Sequence, residues 1–202
     1  MAEGQRRQSP LALVLLALLS EEPMHAYRMR RLIKERGKDA VVNVERSNSV
    51  YQAIERLRRD GLIRVRETLR GEGRPERTLY EITGEGRDAL RRWLATALSV
   101  PAREFPEFPA ALATMSAATP EDVADHLEAR AAALSRLLAE TEARRAADAR
   151  TVPRLFLIED EYSIAMAEAE LRWVRSLIDE LNRKELTWSR EWLDGLRADG
   201  GE

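Results

Sequence analysis

The sequence predicts a mainly α-helical chain carrying one β-hairpin, on three observations. Apolar residues recur at three- and four-residue spacing over most of the 202 residues. Period-two alternation is concentrated in residues 62–82, on both sides of a turn bearing Gly, Pro and Arg. Pro101, Pro106 and Pro109 fall close together between two helix-rich blocks and mark a linker. The predicted division is an N-terminal domain over 9–98, a linker over 99–109 and a helical domain over 110–196.

Met1 to Gln8 is polar and is expected to fray. The first helix runs from Pro10 to about Ser20, with Ser9 as cap and Pro10 at the first helical position, and Glu22-Pro23 ends it. Its run Leu11 to Leu19 is too short to span a bilayer and lacks a small-residue cleavage site, so it reads as a buried helix rather than a signal segment. A second helix, His25 to Arg36, buries Tyr27 or Met29 with Leu32 and Ile33, and Gly37 closes it. Residues 40–44 are short and β-branched, a minor strand or an extended connector.

In the third helix Ser47 is the expected cap, and Val50, Ile54 and Leu57 form the inward stripe. At ~100° per residue, Asn48, Ser49, Gln52, Glu55, Arg56 and Arg59 face outward. Amide and guanidinium groups pair bidentately with adenine and guanine edges in a major groove. Asp60-Gly61 ends the helix, and two alternating segments follow, Leu62 to Arg66 and Thr78 to Ile82. The intervening Arg70 to Arg77 has no apolar anchor and is expected to project as a basic loop carrying Arg74 and Arg77 as phosphate or minor-groove contacts. Helices, hairpin and basic turn together describe a winged helix-turn-helix: three helices plus a β-hairpin wing.

Thr83 then caps a fourth helix through Ala97, with Leu90, Trp93, Leu94 and Leu98 on or near one face. Beyond the linker, Ala110 to Ala117 reads as a short helix, and Thr119-Pro120-Glu121-Asp122 as a strong start for a helix reaching Ala147. Its stripe is Val123, Leu127, Leu134, Leu137, Leu138 and Thr141. The last long helix, Pro153 to about Asn182, is apolar around most of its circumference. One stripe holds Leu155, Ile158, Tyr162, Met166, Ala169, Trp173 and Leu177, and a second holds Phe156, Ala167, Leu171, Val174, Ile178 and Leu181. Two apolar faces require two covers, one from the same chain and one from a second subunit, which makes this an α-helical dimerisation domain. Leu155, Tyr162, Met166, Ala169, Leu171, Val174 and Ile178 are the interface candidates. A short amphipathic tail, Glu185 to Gly200, is expected to dock on the bundle.

Composition narrows the function. With 44% hydrophobic and 34% charged residues, the chain can bury a core and is not of the disordered class. Residues 1 to 95 hold 20 Lys+Arg against 14 Asp+Glu, and the remainder 13 against 21. A basic first half suits a polyanion that an acidic second half would repel. The absence of cysteine excludes disulfides and thiolate-bound zinc and fits a reducing cytoplasm. His25 and His126 lack metal-site spacing, and Glu159-Asp160-Glu161 reads as first-turn acids facing a helix dipole. No nucleophile with a neighbouring base, phosphate loop or dinucleotide fingerprint is legible, so neither a catalytic residue nor a metal or cofactor is assigned.

The motif Asn48-Ser49-Val50-Tyr51-Gln52-Ala53-Ile54-Glu55-Arg56-Leu57, with Gly61-Leu62-Ile63, Gly73-Arg74-Pro75, Tyr80-Glu81-Ile82-Thr83 and Gly86, resembles the PadR family of bacterial transcriptional regulators. Met24-His25-Ala26-Tyr27 is similar to that family's upstream His-Gly-Tyr motif, with Ala26 in place of glycine, and Gln52 stands where the family usually has proline. The resemblance implies a homodimeric regulator of double-stranded DNA, most often a repressor, acting in the cytoplasm without a membrane. It implies Tyr51 as a phosphate-contacting hydroxyl and adds Tyr27 to the DNA-binding candidates. It also makes Trp93 and Trp173 candidates for a small-molecule effector pocket, against plain aromatic anchors. The competing reading is a winged-helix protein-interaction module without sequence-specific DNA binding. Only the DNA reading accounts for the basic half and the arginine-bearing turn together.

Overall fold

The computed structural model describes residues 9–44, 47–71 and 74–199. The chain is mostly helical with one small antiparallel sheet, and it divides into two compact units, Met1–Arg103 and Glu104–Glu202.

In the first unit, α1 (Pro10–Glu21) places Pro10 in its first turn, where the missing N–H is no loss. Ser9 occupies the cap position in extended conformation, but its side chain makes no capping bond. The helix buries Leu11, Ala12, Leu15, Leu16, Leu18 and Leu19 and forms the centre of the core. Burying each such leucine contributes about 1.5–3 kcal/mol, so α1 is the principal organiser of the unit. Met24–His25 (β1) leads into α2 (Ala26–Glu35), which buries Met29 and Ile33. Helical spacing leaves Tyr27 and Met29 as alternatives for that face; Met29 takes it, and Tyr27 is 71% exposed.

Gly37, at φ 64°, turns the chain into a short 3₁₀ turn, Lys38–Ala40. The following segment is a connector that buries Val42 and Val44 without pairing as a strand. Helix α3 (Ser47–Arg59) packs Val50, Ala53, Ile54 and Leu57 inward. Ser47 is its first helical residue rather than its cap; the side chain of Ser47 and the whole of residues 45–46 lie outside the described residues. The helix ends in a Schellman arrangement, with Gly61 at φ 71° donating to Arg58 O and the Leu62 amide donating to Leu57 O.

Strands β2 (Ile63–Gly71) and β3 (Arg74–Ile82) form a longer hairpin than their alternating segments suggest. Arg74 and Arg77 therefore stand on β3 rather than in a loop. Backbone pairing satisfies both strands without an apolar face, so a polar sequence does not stop the ladder. Bulges between Val65 and Glu67 and between Leu69 and Gly71 interrupt the register. The sheet order is β1-β3-β2, because Met24 and His25 pair with Tyr80 and Leu79 on the far side of β3. That edge strand is not legible in a two-residue segment. His25 secures it further: its Nδ1–H donates to the Thr78 carbonyl at 2.9 Å.

Helix α4 (Gly84–Ser99) is capped by Thr83, whose hydroxyl accepts from the Gly86 amide at 3.0 Å. Gly86 and Ala89 are buried and Leu90 and Trp93 pack half-buried on the core, while Leu94 and Leu98 lie exposed.

In the second unit, α5 (Glu107–Ala113) starts three residues earlier than its apolar run suggests. Pro109 lies in its first turn, where the amide it lacks would be unbonded anyway, and so it does not act as a linker residue. A 3₁₀ turn, Met115–Ala117, precedes α6 (Pro120–Asp148), capped by Thr119 through the Asp122 amide at 3.1 Å. Another 3₁₀ turn, Arg154–Phe156, leads into α7 (Ile158–Asn182). Val123, Ala124, Leu127 and Ala131 of α6 share a core with Leu171, Val174, Leu177, Ile178 and Leu181 of α7. Leu137, expected on that stripe, is half exposed. Near the turn, buried Asp160 accepts from Arg144 at 2.8 Å, which makes it part of the α6–α7 joint. The tail helix α8 (Arg190–Asp199) follows Trp188, whose indole N–H donates to Ala118 O at 2.8 Å. Trp192 and Leu196 of α8 are more than half exposed, so the tail is anchored at Trp188 rather than along its helix.

Candidate nucleic-acid interface

The inward stripe of α3 fixes which of its residues can meet a ligand. With Val50, Ala53, Ile54 and Leu57 buried, Asn48, Tyr51, Gln52, Glu55, Arg56, Arg58 and Arg59 are exposed, and Ser49 is partly covered. Gly61 and the Leu62 amide end the helix sharply, so β2 starts directly from its C-terminus. The geometry is therefore one outward-facing polar helix followed by a two-stranded extension of the same unit.

The cations on this surface are held loosely. Arg58 pairs with Glu55 at 2.9 Å and Arg59 with Asp60 at 3.3 Å. Arg56 Nε donates to the Gln52 carbonyl at 3.3 Å. On β2, Arg64 and Arg66 share Glu81 at 2.7 and 3.7 Å. Exposed pairs of this kind contribute only about 0–1 kcal/mol, so a phosphate can displace the carboxylates at little cost. The site expected from sequence omits Arg64 and Arg66; their signal is two arginines at i and i+2 on the strand that leaves the helix. Tyr80 on β3 has its phenol pushed above its ordinary pKa, chiefly by burial and next by Glu55, so it remains a neutral hydroxyl beside these charges.

Tyr27 on α2 and Tyr51 on α3 are both more than half exposed. The backbones of Arg74 and Arg77 are placed on β3, while their side chains lie outside the described residues, as does the wing tip at 72–73. Trp93 packs on the core of the first unit. Trp173, in the second unit, is half exposed and meets Phe108 edge to face at 6.2 Å. The guanidinium of Arg130 lies 3.5 Å from the centre of the Phe108 ring and its Nε donates to Glu170 at 2.6 Å, fastening α5 to both long helices.

Of the interface candidates, Leu155 stands in the 3₁₀ turn before α7 rather than on the helix and is 70% exposed, while on α7 Tyr162 is 67% and Met166 51% exposed and Ala169 is half-buried. Leu171, Val174 and Ile178 are a correction: they fill the second unit's own core against α6 and have no surface to offer a partner. The two apolar stripes are equivalent in sequence, and packing within the chain chooses between them.

Residues 15–92, which run from within α1 to within α4 and include the sheet and the outward face of α3, match the model of the transcriptional regulator PadR-like family. The chain carries a PadR-like domain. Among solved structures, Bacillus subtilis PadR in complex with operator DNA is similar at a TM-score of 0.64 and 16% identity, covering 85% of this chain and 98% of that one. The same Bacillus subtilis protein in complex with p-coumaric acid has a TM-score of 0.67 at 15% identity, again covering 85% and 98%. A PadR-like transcriptional regulator from Bacillus cereus has a TM-score of 0.59 at 14% identity, covering 86% of this chain and 99% of that one. At these identities the likeness is one of fold, and it extends from the PadR-like domain through much of the helical second unit. A comparison with curated proteins returned no match.

Proposed function

We propose that this protein is a sequence-specific, double-stranded-DNA-binding transcriptional regulator that acts as a homodimeric repressor. The observation that carries the reading is the outward face of α3, where exposed amides and guanidiniums sit on a helix whose other side is locked into the core of a PadR-like domain. Recognition helices of this class enter the major groove, while basic residues beside them fix the register on phosphates. Tyr27, Asn48, Ser49, Tyr51, Gln52, Arg56, Arg59, Arg74 and Arg77 form the proposed DNA surface, with Arg64 and Arg66 added from β2. The operator-DNA complex of Bacillus subtilis PadR supports the class of ligand. Replacing Arg74 and Arg77 by alanine should weaken binding to every duplex and flatten its salt dependence, by about 0.9 in slope for each phosphate that is no longer neutralised. Variants that bind as the parent does would remove the wing from the interface.

The exposed stripe on α7 supports the dimer. Ile158, Tyr162, Met166 and Trp173 are each about half exposed or more and recur at helical spacing, an unusual density of large apolar groups for a solvent face. A second subunit is the proposed cover, through Leu155, Tyr162, Met166 and Ala169.

Relief by a small apolar or aromatic effector completes the reading, supported by the p-coumaric acid complex of Bacillus subtilis PadR. Trp93 and Trp173 are the proposed reporters of that ligand. An aromatic acid that binds should quench tryptophan emission and lower DNA affinity in parallel, since a ligand shifts only equilibria between states it binds unequally. Quenching with no change in DNA affinity would separate the pocket from regulation.

A further inference from the structure

The outward face of α3 carries two kinds of group in two different states. Its guanidiniums already have acceptors: Arg56 on the Gln52 carbonyl, Arg58 on Glu55 and Arg59 on Asp60. Glu55 is occupied by Arg58, and the Ser49 hydroxyl donates to the Asn43 carbonyl at 3.4 Å. Asn48 and Gln52 differ from all of these: both are exposed, and neither side-chain amide has a partner among the described residues. They stand four residues apart, one turn of helix, so they are neighbours on one ridge, separated by ~6 Å along the axis. Both lie in the first half of α3, the part of a recognition helix that contacts base edges.

A carboxamide presents one donor and one acceptor in a plane. That pattern matches the N6 donor and N7 acceptor that adenine alone offers together in the major groove. Resting on the proposed DNA-binding function, we infer that Asn48 and Gln52 read two adenines in each operator half-site. A ~6 Å separation of the amides along an inclined helix, against a rise of about 3.4 Å per base pair, places the adenines one or two base pairs apart. The arginines of the same face, anchored along the helix or to its acids, serve the phosphates. Gln52 is therefore a specificity determinant, and Asn48 its companion.

The test selects duplexes from a randomised pool with the full-length parent, Asn48→Ala and Gln52→Ala. The parent should recover a half-site with two adenines at that spacing, and each variant should lose preference at one of them, binding the parent's site roughly 5- to 150-fold more weakly. Substituting 7-deazaadenine at the same positions, which removes only the N7 acceptor, should reproduce the loss for the parent. The matching variant should be insensitive to the same substitution. If 7-deazaadenine leaves parent affinity unchanged, or the variants select the parent's sequence, the amides contact phosphate or solvent and the inference is overturned. Salt-dependent binding without base preference would overturn it while leaving the DNA-binding reading intact. Absence of salt-dependent binding to any duplex would overturn both. Both residues are exposed, so matching thermal melts should show that the substitutions leave the fold unchanged.

Discussion

Gly86→Ala should melt the first unit far below the parent, by about 12 °C or more. A Cβ at this position would lie 2.0 Å from the Leu62 carbonyl oxygen and 2.8 Å from Ile82 Cγ1. The carbonyl cannot retreat, because it accepts from the Thr83 amide at 3.0 Å and from the Thr83 hydroxyl at 3.1 Å, the bonds that join the end of α3 to the start of α4. Alanine brings about 1 kcal/mol of helix propensity. Overpacking against a fixed backbone costs about 1–3 kcal/mol and sometimes more, and here the clash is with a peptide group rather than a movable side chain. With the clash costing about 4 kcal/mol, above the usual range because the carbonyl is held in place, the net destabilisation is about 3 kcal/mol, which in a unit of this size corresponds to the stated shift at about 4–8 °C per kcal/mol. Gly84→Ala, two residues earlier on the same helix, adds a Cβ that meets nothing within 4 Å and should be neutral or slightly stabilising. Circular-dichroism melts of the two variants that coincide would contradict this account of the joint.

On α7, two substitutions five residues apart should fail in different ways. Leu171 is buried against α6, so Leu171→Glu places a carboxylate in an apolar core at a cost of several kcal/mol and should unfold the second unit. Met166, on the exposed stripe, tolerates a charge within one subunit, so Met166→Glu should leave the helical content intact and convert the proposed dimer to a monomer. Sedimentation velocity and far-ultraviolet circular dichroism distinguish the two outcomes. A parent that sediments as a monomer, or a Met166→Glu variant that remains dimeric at the same concentrations, would leave the stripe without its proposed partner.

Much of this organisation is legible in the sequence where one period dominates. The stripe Val50, Ile54 and Leu57 is inward, the face opposite is exposed, and Thr83 and Thr119 cap the helices that follow them. The features that are not legible depend on contacts between distant segments. β1 exists because Met24 and His25 meet β3 some 55 residues later, and two residues carry no alternation of their own. The hairpin extends past its apolar segment because backbone pairing is indifferent to arginine and glutamate side chains. On α7 both stripes satisfy the helical period, and only the position of α6 decides that Leu171, Val174 and Ile178 are core while Tyr162 and Met166 are surface. Arg64 and Arg66 stand at i and i+2 on one face of β2, but alternation alone reads such a pair as solvated, and only the position of the strand directly after α3 gives the pair its meaning.

The most direct test of the central claim is the affinity of the full-length protein for a duplex bearing its selected site, measured by fluorescence anisotropy between about 50 and about 200 mM salt. A groove-reading helix with basic residues on the strands beside it, duplicated in a dimer, should neutralise about six phosphates. The logarithm of affinity should then fall against the logarithm of salt with a slope of about −5, a weakening of roughly a thousandfold over that range. A slope near zero, with binding either absent or indifferent to salt, would contradict the claim that this face of α3 and its wing meet duplex DNA.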